Sequence, residues 1–254
     1  MCRHLAFLGP PTALAELLVE PEHGLLTQSW APRRQRYGTV NADGFGVGWY
    51  AAGDPRPARY RRAVPMWADP SFLDVARVTS SRAVLAAVRS ATPGTTADES
   101  AAAPYASGRW LFSHNGVVHG WPDSLDALAA GIPASRLMSL EAQVDSALLW
   151  ALTLERLEAG DPLPDAVSRV VADVLAVTTG RLNLLVSDGS TVAATAVGDT
   201  LCWRSDAAGT VVASEPSDDR PGWHDVPDGS LLTATDAGVE VRRLPMPEER
   251  PAAS

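Results

Sequence analysis

NADGFGVGWY, residues 41–50, is the stretch on which the fold turns. Gly44, Gly46 and Gly48 fall at alternate positions, and successive side chains of a β-strand point to opposite faces. One face of this strand is therefore bare, which lets another backbone or a ligand approach closely. Because the glycines lie within the strand rather than after it, they are not a dinucleotide-binding fingerprint. A Gly-rich strand over 45–50 predicts an antiparallel partner over 59–63.

The same reading extends in both directions. Upstream, an Arg-rich loop over 28–39 follows a helix that Thr12 caps and that ends at Leu18; a short strand over 3–8 opens the chain. Downstream come a helix over 70–77, a strand over 83–89, a flexible segment over 92–103 and a strand ending at His114. Helices are expected over 124–130, 141–159 and 164–177, with Leu148, Leu149, Leu152 and Leu157 on the apolar face of the second. Short strands follow over 182–187, 191–197, 201–204, 211–214 and 231–235, the first two joined by an Asp188-Gly189 hairpin. Strands, then helices, then strands again give an α+β fold of two antiparallel sheets packed between helices. The expected organisation is one domain over 1–244 and a loose tail over 245–254.

Composition narrows the chemistry. The chain has 254 residues, ordinary hydrophobic and charged fractions and a net charge of −9, which disfavours nucleic acid as a partner. No apolar run has the ~18 residues of a membrane span, and Pro10 and Pro11 interrupt the first apolar stretch, so the expected location is cytoplasmic. All 21 basic residues are arginines. The absence of lysine excludes a Schiff-base lysine, a P-loop lysine and a Ser-x-x-Lys acylation site. Cys202 lies in an apolar stretch and reads as an inert buried residue.

Cys2 reads differently. Removal of Met1 would place an α-amine, with a pKa near ~7.7–8.0, beside a thiol near ~8.5. The neutral amine can take the thiol proton and later return it to a leaving amine, so no catalytic histidine is needed. Taken alone, Cys2 is only a small residue after the start. Two further motifs sit at expected strand ends. In RSATPG, residues 89–94, Arg89 can grip a carboxylate through two parallel hydrogen bonds. In FSHNG, residues 112–116, the Asn115 side chain and the Gly116 N–H can form a two-donor oxyanion hole, the glycine permitting the backbone geometry; Asn-Gly reads equally as a tight turn. Cys2, His4, His114 and His119 do not have a recognised metal-ligand spacing, and neither metal nor cofactor is expected.

Together, Cys2, NADGFGVGWY, RSATPG and FSHNG resemble the class II glutamine amidotransferase family of Ntn hydrolases, in order and spacing, over roughly the first 120 residues. The resemblance implies a four-layer αββα sandwich. It also implies Cys2 as nucleophile, Asn115 and Gly116 as oxyanion hole, and Arg89 for the α-carboxylate of a γ-glutamyl substrate. The family's aspartate for the α-ammonium falls on Asp145, although the acidic residue usual two positions later is Ala147 here. The opening MCRHLAFLG, the run from Leu25 to Tyr50, VVASEPSDD and WHDVPDGSLL are similar to the members that hydrolyse γ-glutamyl-hercynylcysteine sulfoxide in ergothioneine biosynthesis. The segment after the amidase region is too short for a synthase domain, which favours hydrolysis; the alternative is a glutaminase subunit serving a separate synthase. That sulfoxide carries a trimethylammonium group, which aromatic faces bind. Of the eight tryptophans, Trp30, Trp49, Trp67 and Trp121 lie in or near expected loops and strand ends, and Trp30 and Trp67 are the candidates for it.

Overall fold

Alternation along the first strand sets up the layers. The computed structural model describes residues 2–91 and 98–245. In β1 (Arg3–Ala13), Leu5 and Phe7 face one side and Ala6 and Leu8 the other. β4 (Ser80–Val88) and β10 (Gly209–Ala213) flank β1, both antiparallel. β2 (Phe45–Trp49) and β3 (Ala58–Arg62) extend the sheet beyond β4, and β9 (Cys202–Asp206) and β11 (His224–Asp225) extend it beyond β10. The second sheet runs in the order β13 (Gly238–Arg243), β12 (Ser230–Thr235), β8 (Val192–Ala196), β7 (Gly180–Ser187), β6 (Trp110–Val118), β5 (Tyr105–Ser107), again with antiparallel pairing.

Three apolar layers follow. Leu5, Phe7, Phe45, Val84 and Val88 pack against α1 (Leu14–Leu18), α2 (Leu25–Gln28) and α3 (Pro70–Val78). On the far side, Phe112, Leu184 and Val186 pack against α6 (Asp145–Glu158) and α7 (Leu163–Val177), with α4 (Asp126–Ala129) and α5 (Ala134–Met138) at the margin. Between the sheets lie Ala6, Ala83, Ala194, Ala196 and Ala234, with Leu85, Leu111 and Leu185. This is the expected αββα sandwich. The bare face of β2 turns into that middle layer. A Cβ at Gly48 would lie 2.7 Å from Leu111, and one at Gly46 2.3 Å from the Ala103 carbonyl oxygen. The alternate glycines therefore admit the second sheet.

The hairpin at Asp188-Gly189 forms as expected: Gly189 has φ +90° and the Asp188 carboxylate accepts the N–H groups of Ser190 and Thr191. Other boundaries differ. Thr12 lies in β1 and donates to the Pro10 carbonyl rather than capping α1, because pairing with β4 resumes at Thr12 after an irregularity. The helix expected over 141–159 begins at Asp145. The strand expected to end at His114 continues to Val118, since β7 pairs with it throughout; Asn115-Gly116 is ladder, not turn. Met1, residues 92–97 of the segment expected to be flexible, and residues 246–254 of the expected tail lie outside the described residues. Among the described residues, no helix is long and apolar enough to cross a membrane.

Candidate active site

The layer between the sheets changes character along its length. On β1, apolar Leu8 and Ala6 give way to His4, and the chain then reaches Cys2; on β6, Leu111 gives way to Ser113 and Asn115. His4, Ser113 and Asn115 are buried. Buried polar groups need partners. His4 Nδ1 lies 3.2 Å from the Ser113 hydroxyl, and the His4 N–H donates to Ser214 Oγ at 3.0 Å. Burial first, and the neighbouring charges of Arg3 and His114 after it, push the His4 pKa down to about 3. The ring is therefore neutral in this fold.

Cys2 sits at this polar end, half-buried, with Sγ 4.0 Å from the Ser90 carbonyl oxygen. Two motifs distant in sequence close around it. The Asp43 N–H donates to the Arg89 carbonyl at 3.0 Å, the Arg89 N–H to the Gly44 carbonyl at 2.7 Å, and the Ala91 N–H to the Asp43 carboxylate at 2.8 Å. The Arg89 guanidinium reaches the Asp43 carbonyl at 3.3 Å and is buried. Residues 92–94 of the RSATPG motif fall outside the described residues.

A cleft opens here, lined among others by Cys2, Arg89, Gly116, His114 and Asp145. Asp145 is the first residue of α6, and its carboxylate accepts the Val118 N–H at 2.9 Å and the Ser146 N–H at 2.7 Å. These bonds fix the start of α6 to the end of β6. His114 is held between the Ser146 hydroxyl at Nδ1 and the Arg181 carbonyl at Nε2, each 3.0 Å away. A carbonyl only accepts, so Nε2 carries the proton.

Asn115 does not line the cleft. It is fully buried beside Gly116, with its amide nitrogen 3.5 Å from Ser214 Oγ and its oxygen without a hydrogen-bond partner among the described residues. Gly116 is not in the left-handed region. What demands glycine is space: a Cβ would lie 1.8 Å from the Arg181 carbonyl oxygen and 2.6 Å from His114 Nε2. Trp30 and Trp67 also stand outside the cleft lining. They meet edge to face with centroids 5.9 Å apart, both substantially exposed. His119 bonds the Thr179 hydroxyl at 2.9 Å.

Sequence reading did not single out the residues that hold the cleft's surroundings. Glu215, within the VVASEPSDD segment, accepts the N–H groups of both Arg33 and Arg34 at 2.8 Å. Asn41 donates to the Gln28 carbonyl and to Gln35. Both tie down the Arg-rich loop. An acid between Ser214 and Pro216 was the available signal for Glu215, but its hydrogen bonds go to backbone N–H groups that no side-chain motif reveals.

Residues 22–203 match the family of class II glutamine amidotransferases. A γ-glutamyl-hercynylcysteine sulfoxide hydrolase from Mycolicibacterium smegmatis is 44% identical over 245 residues, covering 96% of this chain and 100% of the relative. Among solved structures, a glutamine aminotransferase class-II domain protein from Silicibacter pomeroyi superposes with a TM-score of 0.70 at 27% identity, covering 96% of this chain and 99% of that one. The glutamine phosphoribosylpyrophosphate amidotransferase of B. subtilis has the same TM-score, 0.70, at 16% identity, covering 97% of this chain and 50% of that one, a likeness of fold alone.

Proposed function

The chain belongs to the class II glutamine amidotransferases, and on that premise we propose that it is an amidohydrolase that cleaves γ-glutamyl-hercynylcysteine sulfoxide to glutamate and hercynylcysteine sulfoxide. The observation that carries this reading is a single cleft bringing together Cys2, Arg89, Gly116 and Asp145, in a chain similar to the mycobacterial hydrolase over nearly its whole length. The enzyme works on a small molecule, in the cytoplasm, with no cofactor; its net charge of −9 speaks against nucleic acid.

The reaction begins once Met1 is removed and the Cys2 amine is free. That amine takes the thiol proton, and the thiolate attacks the γ-carbonyl carbon. The oxyanion is met by the Gly116 N–H and by the Asn115 amide, which turns from Ser214 toward the cleft. The ammonium returns its proton to the leaving nitrogen, the C–N bond breaks and a γ-glutamyl thioester remains on Cys2. Water then attacks the thioester, its proton passes to the amine, and glutamate leaves as the thiol reforms. Arg89 pairs with the glutamyl α-carboxylate. Asp145, already accepting two N–H groups, retains lone pairs for the α-ammonium. The Trp30–Trp67 pair, outside the cleft, serves the remote trimethylammonium.

The test is glutamate release by the processed protein and its Cys2→Ala variant, with the sulfoxide and with L-glutamine as separate substrates. Cys2-dependent turnover that prefers the sulfoxide is expected. Preference for glutamine would instead make the protein a glutaminase subunit, and turnover surviving Cys2→Ala would end the nucleophile assignment.

A further inference from the structure

Among the described residues, the largest fully buried side chain is that of Arg3, next to the proposed nucleophile. Its Nε–H donates to the Cys2 carbonyl at 2.9 Å. Its Nη1 lies 3.7 Å from the carboxylate of Glu215, which is equally buried. Both terminal nitrogens are buried and have no hydrogen-bond partner among the described residues. Enclosing a charge in this way is costly unless it is compensated, and burial does pull the Arg3 pKa below its ordinary value, against the opposing charges of Glu215 and Asp199.

Both of those carboxylates also reach the loop between α2 and β2, Glu215 directly and Asp199 through Arg181. Glu215 accepts the N–H groups of Arg33 and Arg34. Asp199 pairs with Arg181 Nε at 3.1 Å, and the Arg181 guanidinium lies over the ring of Tyr37, 4.3 Å from its centroid. The Arg3–Glu215 pair thus links the Cys2 peptide to the backbone of residues 33 and 34, while Asp199 and Arg181 stand against Tyr37 of the same loop. The loop passes the cleft wall: a Cβ on Gly38 would lie 3.8 Å from Ser90 Oγ.

We propose that Arg3 is a positioning residue, whose Nε–H fixes the peptide of Cys2 while its charge, paired with Glu215, locks the nucleophile's strand to the loop at Arg33 and Arg34. The inference rests on Cys2 being the nucleophile. A guanidinium suits the task because one planar group presents Nε–H to the carbonyl and its terminal nitrogens to the carboxylate side at a fixed angle. A lysine supplies the charge without that fork.

The experiment compares Arg3→Lys, Arg3→Met, Glu215→Met and the Arg3→Met/Glu215→Met double variant. Each is treated with methionine aminopeptidase until intact mass shows Cys2 at the N-terminus. Tm, kcat and KM on γ-glutamyl-hercynylcysteine sulfoxide, and the rate of Cys2 alkylation by iodoacetamide are measured for all four. Misplacing a reacting group by an ångström costs about 10²-fold in rate, so kcat is expected to fall by about that factor in both Arg3 single variants, with KM little changed and the alkylation rate altered. Replacing both members of a buried ion pair by apolar side chains removes the uncompensated charge. The double variant should therefore regain Tm over the singles while kcat stays low. Recovery of kcat together with Tm, or full kcat in Arg3→Lys, would reduce Arg3 to a structural role and overturn the proposal. Turnover persisting in Cys2→Ala would instead remove the reading on which it rests, so the two failures are distinguishable.

Discussion

Acidification should draw stability from the fold through His4. Its ring is buried between the sheets, and burial, with the charges of Arg3 and His114, lowers its pKa from 6.5 to about 3. The unfolded chain binds a proton at His4 as pH falls below its ordinary value, whereas the folded chain refuses it until near pH 3. The folded-state pKa is the lower one, so this contribution to stability is complete above about pH 6.5 and drains away as pH falls toward 3. Each pH unit in that window costs about 1.4 kcal/mol, or about 3 kcal/mol between neutrality and about pH 4.5. Against a total of about 5–15 kcal/mol this is a large fraction. The assay is urea unfolding of the wild type and His4→Asn at about pH 7 and about pH 4.5. Carboxylates in ion pairs weaken both proteins on acidification, so the difference between the two slopes isolates His4. His4→Asn should start less stable at neutrality, having lost ring packing, and lose about 3 kcal/mol less on acidification. Parallel losses in the two proteins would refute the buried, neutral imidazole.

Three further outcomes follow from the proposed reaction. Gly116→Ala must push β6 and β7 apart, because the new Cβ meets a backbone oxygen at 1.8 Å; a melt should show a loss of about 1–3 kcal/mol or more, with kcat down about 10²-fold, and wild-type behaviour would contradict the close approach. Asn115→Ala should lower kcat by about 10²–10³-fold with the fold intact by circular dichroism; unchanged kcat would remove Asn115 from the oxyanion hole. Replacing Trp30 and Trp67 by Ala, singly and together, should raise KM for the sulfoxide and leave glutamine turnover alone, a cation–aromatic contact being worth about 0.5–2 kcal/mol. Unchanged KM would free the pair of that role.

Much of the molecule was legible because its signals are local. Alternation marked most strands, and the Asp188-Gly189 turn set one register. The misreadings share a cause, which is that a local signal lost to a distant partner. Asn115-Gly116 has turn chemistry, but eight consecutive residues of β6 pair with β7 and leave no room for a turn. Thr12 has capping chemistry, but β4 claims it. β13 went unread because its residues are mostly exposed and carry little apolar alternation, while its pairing with β12 comes from backbone hydrogen bonds that any side chain permits.

The sequence by itself determined which chemical groups are present: a cysteine at position 2, an Asn-Gly pair, an arginine at the end of a strand, and a bare strand face that only a second sheet or a ligand could use. Tertiary structure alone decided that Asp43 and Arg89 interlock, that Asp145 and Cys2 line one cleft, and that Arg3 and Glu215 form a buried charge pair. Those contacts join residues tens to hundreds of positions apart. Their partners are often backbone N–H and C=O groups, which every residue carries and no motif records. A covalent neighbour such as Arg3 can be read next to Cys2, but its burial, and therefore its role, exists only once both sheets have closed around it.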